Sequence, residues 1–212
     1  MEEMRSFFAS RIDGYDEHMV NDVEGCKEGY KLMAELVPST CDTLLDLGCG
    51  TGLELEGILK NNPSLKVTAI DLTPEMLEVL TEKFKDYDIN VICGDYFKAD
   101  FGVSRYDTAI SFETMHHFEK DAKVELYRRI LLALKDDGRY IECDYMVETT
   151  EEENLYFEEF RAFKQNAKND VYYHFDTPCT IENQILMLKK AGFKEVEKVF
   201  KKGGTVILVA KK

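Results

Sequence analysis

A doubly wound α/β domain is the fold this chain predicts, and three observations predict it. Short apolar runs alternate with amphipathic stretches from Thr43 onward, one of those runs passes straight into a glycine-rich turn, and the final two are joined by Lys201-Lys202-Gly203-Gly204, a reversal of the chain. A length of 212 residues suits one such domain, since cores divide only beyond roughly 250–300 residues. The 44% hydrophobic fraction is enough to fill its core.

The strands are expected at residues 43–47, 66–70, 90–93, 106–112 and 138–146, with helices between them. Thr73-Pro74 opens one helix as N-cap and first-turn proline, with Met76, Leu77, Leu80 and Phe84 on its apolar face. Another runs from about Asp121, carries Val124, Tyr127, Ile130, Leu131 and Leu134 on one side, and is expected to end at Gly138. A third begins near Thr180, carries Ile181, Ile185 and Leu188, and stops at Gly192. Beyond it, residues 196–200 and 205–210 read as an antiparallel hairpin, so a mainly parallel sheet finishes with a reversed strand. No repeat or low-complexity linker interrupts residues 1–212, which form one domain in this reading.

Two segments stand outside the alternation. Residues 1–35 read as helical and are expected to act as an N-terminal lid. Residues 147–177 begin acidic (Glu148, Glu151, Glu152, Glu153) and turn aromatic (Tyr156, Phe157, Phe160, Phe163, Tyr172, Tyr173, Phe175). An aromatic insertion after a strand is placed to cap a ligand at the carboxyl edge of the sheet; packing as a satellite helix is the alternative.

Composition excludes several classes of function. A formal charge of −14 repels phosphate backbones and anionic membranes, and the only basic clusters, Lys189-Lys190 and Lys201-Lys202, are short. No apolar run approaches the roughly 18 residues of a membrane span. The N-terminus is acidic where a secretory signal is basic, so a cytoplasmic location is expected. The six cysteines, Cys26, Cys41, Cys49, Cys93, Cys143 and Cys179, show no close ligand spacing, so reduced thiols and no metal are expected.

The strongest local signal is the run Leu44-Leu45-Asp46-Leu47-Gly48-Cys49-Gly50-Thr51-Gly52, followed by a helix with Leu55, Ile58 and Leu59. Glycines at alternate positions let the backbone turn tightly and approach a ligand, and the helix start adds unpaired N–H groups. Asp71, at the end of the second strand, can accept both hydroxyls of a ribose, and Asp95, after the third, can accept from an adenine amino group. A dinucleotide fingerprint, G-x-G-x-x-G, is not met, because Leu53 stands at its last position.

The run Asp46-Leu47-Gly48-Cys49-Gly50-Thr51-Gly52 resembles the first motif of the class I S-adenosylmethionine-dependent methyltransferases, of the small-molecule type. The likeness continues through Asp71-Leu72-Thr73-Pro74-Glu75-Met76-Leu77, Gly94-Asp95, Phe112-Glu113-Thr114-Met115-His116-His117-Phe118, Leu134-Lys135-Asp136-Asp137-Gly138-Arg139 and Ala191-Gly192-Phe193. It implies a seven-stranded Rossmann-like sheet with the last strand antiparallel, and S-adenosyl-L-methionine as cofactor. By position, Asp46 and the loop Gly48, Cys49, Gly50 and Gly52 would meet the cofactor's amino-acid part. Asp71 would hold the ribose, Leu72 would pack on the adenine, Asp95 and Tyr96 would bound it, and Tyr15 would cover the methionyl end.

Methyl transfer from a sulfonium is a direct displacement in which the protein aligns the acceptor and excludes water. Where a base is needed, His117, His116 and Glu113 follow the fourth strand, with His174 and Asp144 as further candidates. The Asn/Asp-Pro-Pro-Tyr motif of amino-methylating nucleic-acid enzymes is absent; Phe112-Glu113-Thr114-Met115 stands there instead. A small-molecule acceptor follows as the expectation, with the protein a monomer or homodimer. A catalytically silent or non-methylating S-adenosylmethionine-binding protein on the same fold, a cofactor-modifying synthase for example, is the alternative.

Overall fold

The computed structural model describes residues 2–165, 167 and 171–212; Met1 of the expected lid, and residues 166 and 168–170 of the expected cap, lie outside the described residues. Three helices, α1 (Met4–Ala9), α2 (Tyr15–Asn21) and α3 (Cys26–Leu36), precede β1 (Thr43–Leu47). Then follow α4 (Leu53–Asn61), β2 (Lys66–Asp71), α5 (Pro74–Lys83), β3 (Ile89–Cys93) and β4 (Tyr106–Phe112). A 3₁₀ turn at Met115–His117 leads to α6 (Lys120–Ala133), β5 (Leu134–Val147), α7 (Thr150–Lys164) and a short β6 (Cys179–Thr180). The chain closes with α8 (Ile181–Ala191), β7 (Glu195–Lys202) and β8 (Thr205–Lys211).

The strands order as β3-β2-β1-β4-β5-β8-β7, with β6 beside the end of β5. β1 to β5 pair in parallel, and β8 runs antiparallel to both β5 and β7. The reversed strand therefore lies inside the sheet. Its composition explains the placement: residues 205–210 are buried throughout, whereas β7 alternates with exposed charge and forms the edge. Alternation along β1 divides the interior, with Leu45 and Leu47 joining the core under α6 and α8, and Leu44 the core under α3, α4 and α5.

β5 starts earlier than the apolar periodicity suggests. Leu134 continues the buried stripe of α6, yet its backbone is extended and it pairs with Tyr106, so the helix ends at Ala133 instead of Gly138. Either element buries this leucine, and the pairing with β4 decides. The intervening Asp137 has a φ of 63°, and the register shifts between Tyr106 and Thr108. Gly138 serves this bulge: a Cβ there would stand 2.8 Å from the Lys135 carbonyl.

The two segments outside the alternation meet each other. Glu3 and Tyr173 form an antiparallel bridge, the Met4 N–H donates to the Tyr172 carbonyl at 2.9 Å, and the His174 N–H to that of Glu2 at 3.1 Å. Phe7 stacks on the His174 ring with centroids 3.6 Å apart. α7 is set by a capping box between Thr149 and Glu152. From it Glu153 accepts from the Thr180 N–H and the Asn183 amide, and pairs with Lys120. This buried carboxylate fastens α6, α7 and α8 together.

Candidate active site

The strand order reverses beside β1, whose neighbours are β2 and β4, and such a switch point leaves a crevice at the carboxyl ends. The glycine loop occupies it. Gly48 has a φ of 73°, and a Cβ on it would strike the Thr114 hydroxyl at 2.6 Å. Gly50 has a φ of 47°, and a Cβ on it would meet nothing within 4 Å. The first glycine is thus demanded by packing; the second keeps the mouth of the loop open. Gly52 starts α4 against Phe84, and Cys49 is buried in the core on the α4 side.

Asp71 holds the loop in shape. Its Oδ2 accepts from the Gly50 N–H at 3.0 Å and its Oδ1 from the Thr73 N–H at 2.7 Å. Gly48, Gly50, Asp71, Leu72, Asp95, Tyr96 and Tyr15 all line one cleft. Tyr96 is tied through its hydroxyl to Thr114 at 2.9 Å. Asp95 accepts from the Phe97 N–H at 2.8 Å and from the Tyr172 hydroxyl at 3.2 Å, so a residue of the expected cap closes on the expected adenine acid. Met4, Phe8 and Tyr172 complete the cover, and the cleft beneath is narrow, about 60 Å³.

Asp46 is wholly buried behind the loop with Glu54, the second residue of α4. Both oxygens of Asp46 and the Oε1 of Glu54 have no hydrogen-bond partner. Burial first, and then their mutual repulsion, raises Asp46 well above the usual carboxylate range; burial pushes Glu54 up to about 7. The pair shares its titration. Sequence reading passed over Glu54, since nothing marks one glutamate in the turn Leu53-Glu54-Leu55-Glu56 as the buried one.

A larger cavity, about 650 Å³, adjoins the cleft; Phe8, Tyr15, Glu113 and His117 line both. Glu113 directly follows β4 with a φ of 48°, a strained conformation for a glutamate, and its N–H donates to the Cys143 carbonyl at 2.8 Å. Burial, and then Asp144 and Asp176, raise its carboxyl well above the usual range. The 3₁₀ turn places both expected histidines here. The His116 Nδ1 lies 2.8 Å from the Asp144 Oδ1 and 3.8 Å from the Glu113 Oε2. The His117 Nδ1 lies 3.3 Å from the Asp176 Oδ1. Burial pushes His116 down to about 4 and lowers His117, so both imidazoles are neutral at pH 7. His174 also lines the cavity, its ring 4.9 Å from that of His117. Asp176 was not singled out from the sequence; it lies 59 residues from His117 and 60 from His116, and only the fold brings it to them.

Arg105 stacks on Tyr106, Arg139 sits opposite Thr108 within the sheet and Arg161 is on α7; none of them lines the cleft or the cavity. The arginine that does is Arg11, paired with Glu2 at 3.1 Å and lying over the Phe7 ring. Cys26 and Cys179 are buried, and burial pushes the Cys26 thiol up to about 12, away from use as a nucleophile.

A methyltransferase-domain family matches residues 44–138. A carboxy-S-adenosyl-L-methionine synthase from Nitratiruptor sp. is 27% identical, covering 92% of this chain and 88% of its own. An O-methyltransferase family protein from Burkholderia thailandensis superposes with a TM-score of 0.72 at 17% identity, over 99% of this chain and 63% of that one. Human N-acetylserotonin methyltransferase, in complex with S-adenosylmethionine, superposes with a TM-score of 0.70 at 17% identity, over 98% of this chain and 56% of that one. The chain thus spans about three fifths of the length of these solved structures. Among the described residues, no helix is long and apolar enough to cross a membrane.

Proposed function

We propose that the chain is a class I S-adenosylmethionine-dependent methyltransferase, in keeping with the methyltransferase-domain match over residues 44–138, and that it transfers a methyl group by direct displacement to a small molecule held in the 650 Å³ cavity. The observation that carries the proposal is the shared wall: Phe8, Tyr15, Glu113 and His117 face both the cleft and the cavity, so the two ligands would meet there.

The residues present fit the cofactor. The unpartnered oxygens of Asp46 and Glu54 call for a cation such as its α-ammonium, and Gly50 and Gly94 leave space where a Cβ would intrude. Asp71 has lone pairs left for ribose hydroxyls after its two backbone bonds, and Asp95 and Tyr96 bound the adenine end. The cofactor supplies a methyl group on a positively charged sulfur, already activated for displacement. The protein's own part is to align the acceptor, exclude water under Phe8 and Tyr172, and present neutral imidazole lone pairs and Glu113 to the acceptor. As α1 and residues 171–175 pair with one another, they would part together to admit ligands, the first as lid and the second as cap.

A second reading has support of its own. The Nitratiruptor relative that aligns over most of the chain is named a carboxy-S-adenosyl-L-methionine synthase, and Arg11 lines the cavity where a carboxylate-bearing co-substrate would need a cation. One experiment separates the two. Purified protein is incubated with methyl-labelled S-adenosylmethionine and panels of phenols, amines, thiols and carboxylic acids, and the cofactor products are read by mass spectrometry. Accumulation of S-adenosylhomocysteine with a labelled acceptor supports methyl transfer; a cofactor heavier by a carboxylate, with no labelled acceptor, overturns it in favour of the second reading.

A further inference from the structure

The buried histidine pair has an unbalanced set of polar atoms. The His117 Nδ1 and the Asp176 Oδ1 are both buried and both without a hydrogen-bond partner, although they lie 3.3 Å apart. The His117 side chain is only 4% exposed, so water does not satisfy it. Two unpaired atoms of this kind, side by side, are costly unless something between them accepts both lone pairs.

His116 supplies a third donor. Its Nδ1 is engaged with the Asp144 Oδ1 at 2.8 Å, which fixes the tautomer and leaves the Nε2 lone pair bare. That Nε2 lies 3.8 Å from the same Asp176 oxygen, and the His116 Nε2, His117 Nδ1 and Asp176 Oδ1 all fall within 4.8 Å of one another. Adjacent residues seldom aim at one point. The 3₁₀ turn changes this by bringing the two rings to a centroid separation of 4.0 Å. Two ligands at about 2.1 Å from a tetrahedral ion stand roughly 3.4 Å apart, close to the observed spacings.

We propose that His116, His117 and Asp176 bind one divalent transition-metal ion of the zinc class, with Asp144 as the carboxylate that orients His116. Two imidazoles and a carboxylate are the donor set of open zinc sites, and the remaining side of the ion faces the cavity. An acceptor offering a hydroxyl or carboxylate oxygen would complete the coordination. That role for the acceptor rests on the methyl-transfer reading; the binding of the ion does not. The alternative trio Glu113, His116 and Asp144 shares the His116 Nδ1, which is already committed to Asp144.

Protein stripped with a chelator is titrated with Co²⁺, read by its visible absorption, and then with Zn²⁺ as competitor. One equivalent is expected to bind, with displacement by Zn²⁺. Asp176→Asn and His117→Gln should weaken binding at least tenfold, and Asp144→Asn by about 10- to 100-fold. His18→Ala, the exposed histidine paired with Asp22, should leave it unchanged. S-adenosylhomocysteine affinity and the melting temperature report whether each variant is folded; Asp176→Asn decides if His117→Gln does not fold. No binding by the parent protein, or equal binding by Asp176→Asn, overturns the site. Metal binding without methyl transfer leaves the site standing and removes the acceptor role; methyl transfer by protein that binds no metal overturns the site and leaves the methyl-transfer reading standing.

Discussion

Replacing Glu54 by glutamine tests the buried acidic pair in both its expected roles. In the ligand-free protein the Glu54 carboxyl is raised by burial from 4.5 to about 7. A raised acid favours the folded state while protonated: the contribution is complete below the unfolded value and is lost as pH climbs through the folded one. The window is therefore about pH 4.5 to 7. Above it, ionisation in place costs about 3 kcal/mol, a sum that belongs to the pair with Asp46. Glu54→Gln should therefore melt higher than the parent at pH 8 without ligand, at roughly 2–4 °C per kcal/mol for a chain this size, and nearly equal to it at pH 5. Cofactor affinity should move the other way. Losing a charge-assisted contact of about 1.5–3 kcal/mol weakens S-adenosylmethionine binding about 10- to 100-fold. Differential scanning fluorimetry from pH 5 to 8, paired with calorimetric titration, reads both. Equal destabilisation at every pH with unchanged affinity would falsify the account and leave Glu54 an ordinary packing residue.

Three further outcomes follow from the same geometry. Gly50→Arg places a side chain where the structure leaves open space, at a φ of 47°; cofactor binding should fall more than tenfold while the melting temperature drops by only the equivalent of about 1–2 kcal/mol of backbone strain. Asp71→Ala removes the acceptor for both the Gly50 and Thr73 N–H groups, so it should lower stability by about 1–3 kcal/mol as well as affinity, and denaturant unfolding that finds stability unchanged argues against its role in shaping the loop. Glu153 is a carboxyl that burial alone would raise but that Lys120, Asn183 and the Thr180 N–H hold below the usual range; its contribution is present above the ordinary carboxyl pKa and fades as pH falls through the lowered one. Glu153→Ala should thus cost about 3 kcal/mol at pH 7 and much less in acid, and a pH-independent loss would be the contrary result.

Much of this molecule was legible in its sequence because the relevant signals are local. A strand running into Gly48, Gly50 and Gly52, an N-cap and proline at Thr73-Pro74 and a stop at Gly192 each fix backbone geometry within a few residues. That set the sheet, the reversed strand and the acids Asp71 and Asp95 on one cleft. The end of α6 was not legible, since Leu134 satisfies a helix stripe and a strand equally, and only pairing with Tyr106 decides.

The site divides along the same line. The cleft proposed for the cofactor is built at successive strand ends, which chain order and the glycine turn determine. The larger cavity, proposed for the acceptor, is lined from α1, α2, the 3₁₀ turn, Glu113, His174 and Asp176, brought together by tertiary packing. Burial of Glu54 rather than Glu56, the docking of Tyr172 on Asp95, and the meeting of Asp176 with His116 and His117 depend on contacts far apart in the chain. Sequence periodicity specifies which face of an element is apolar. The environment that shifts a carboxyl, or leaves an imidazole lone pair bare, exists only once those faces have packed.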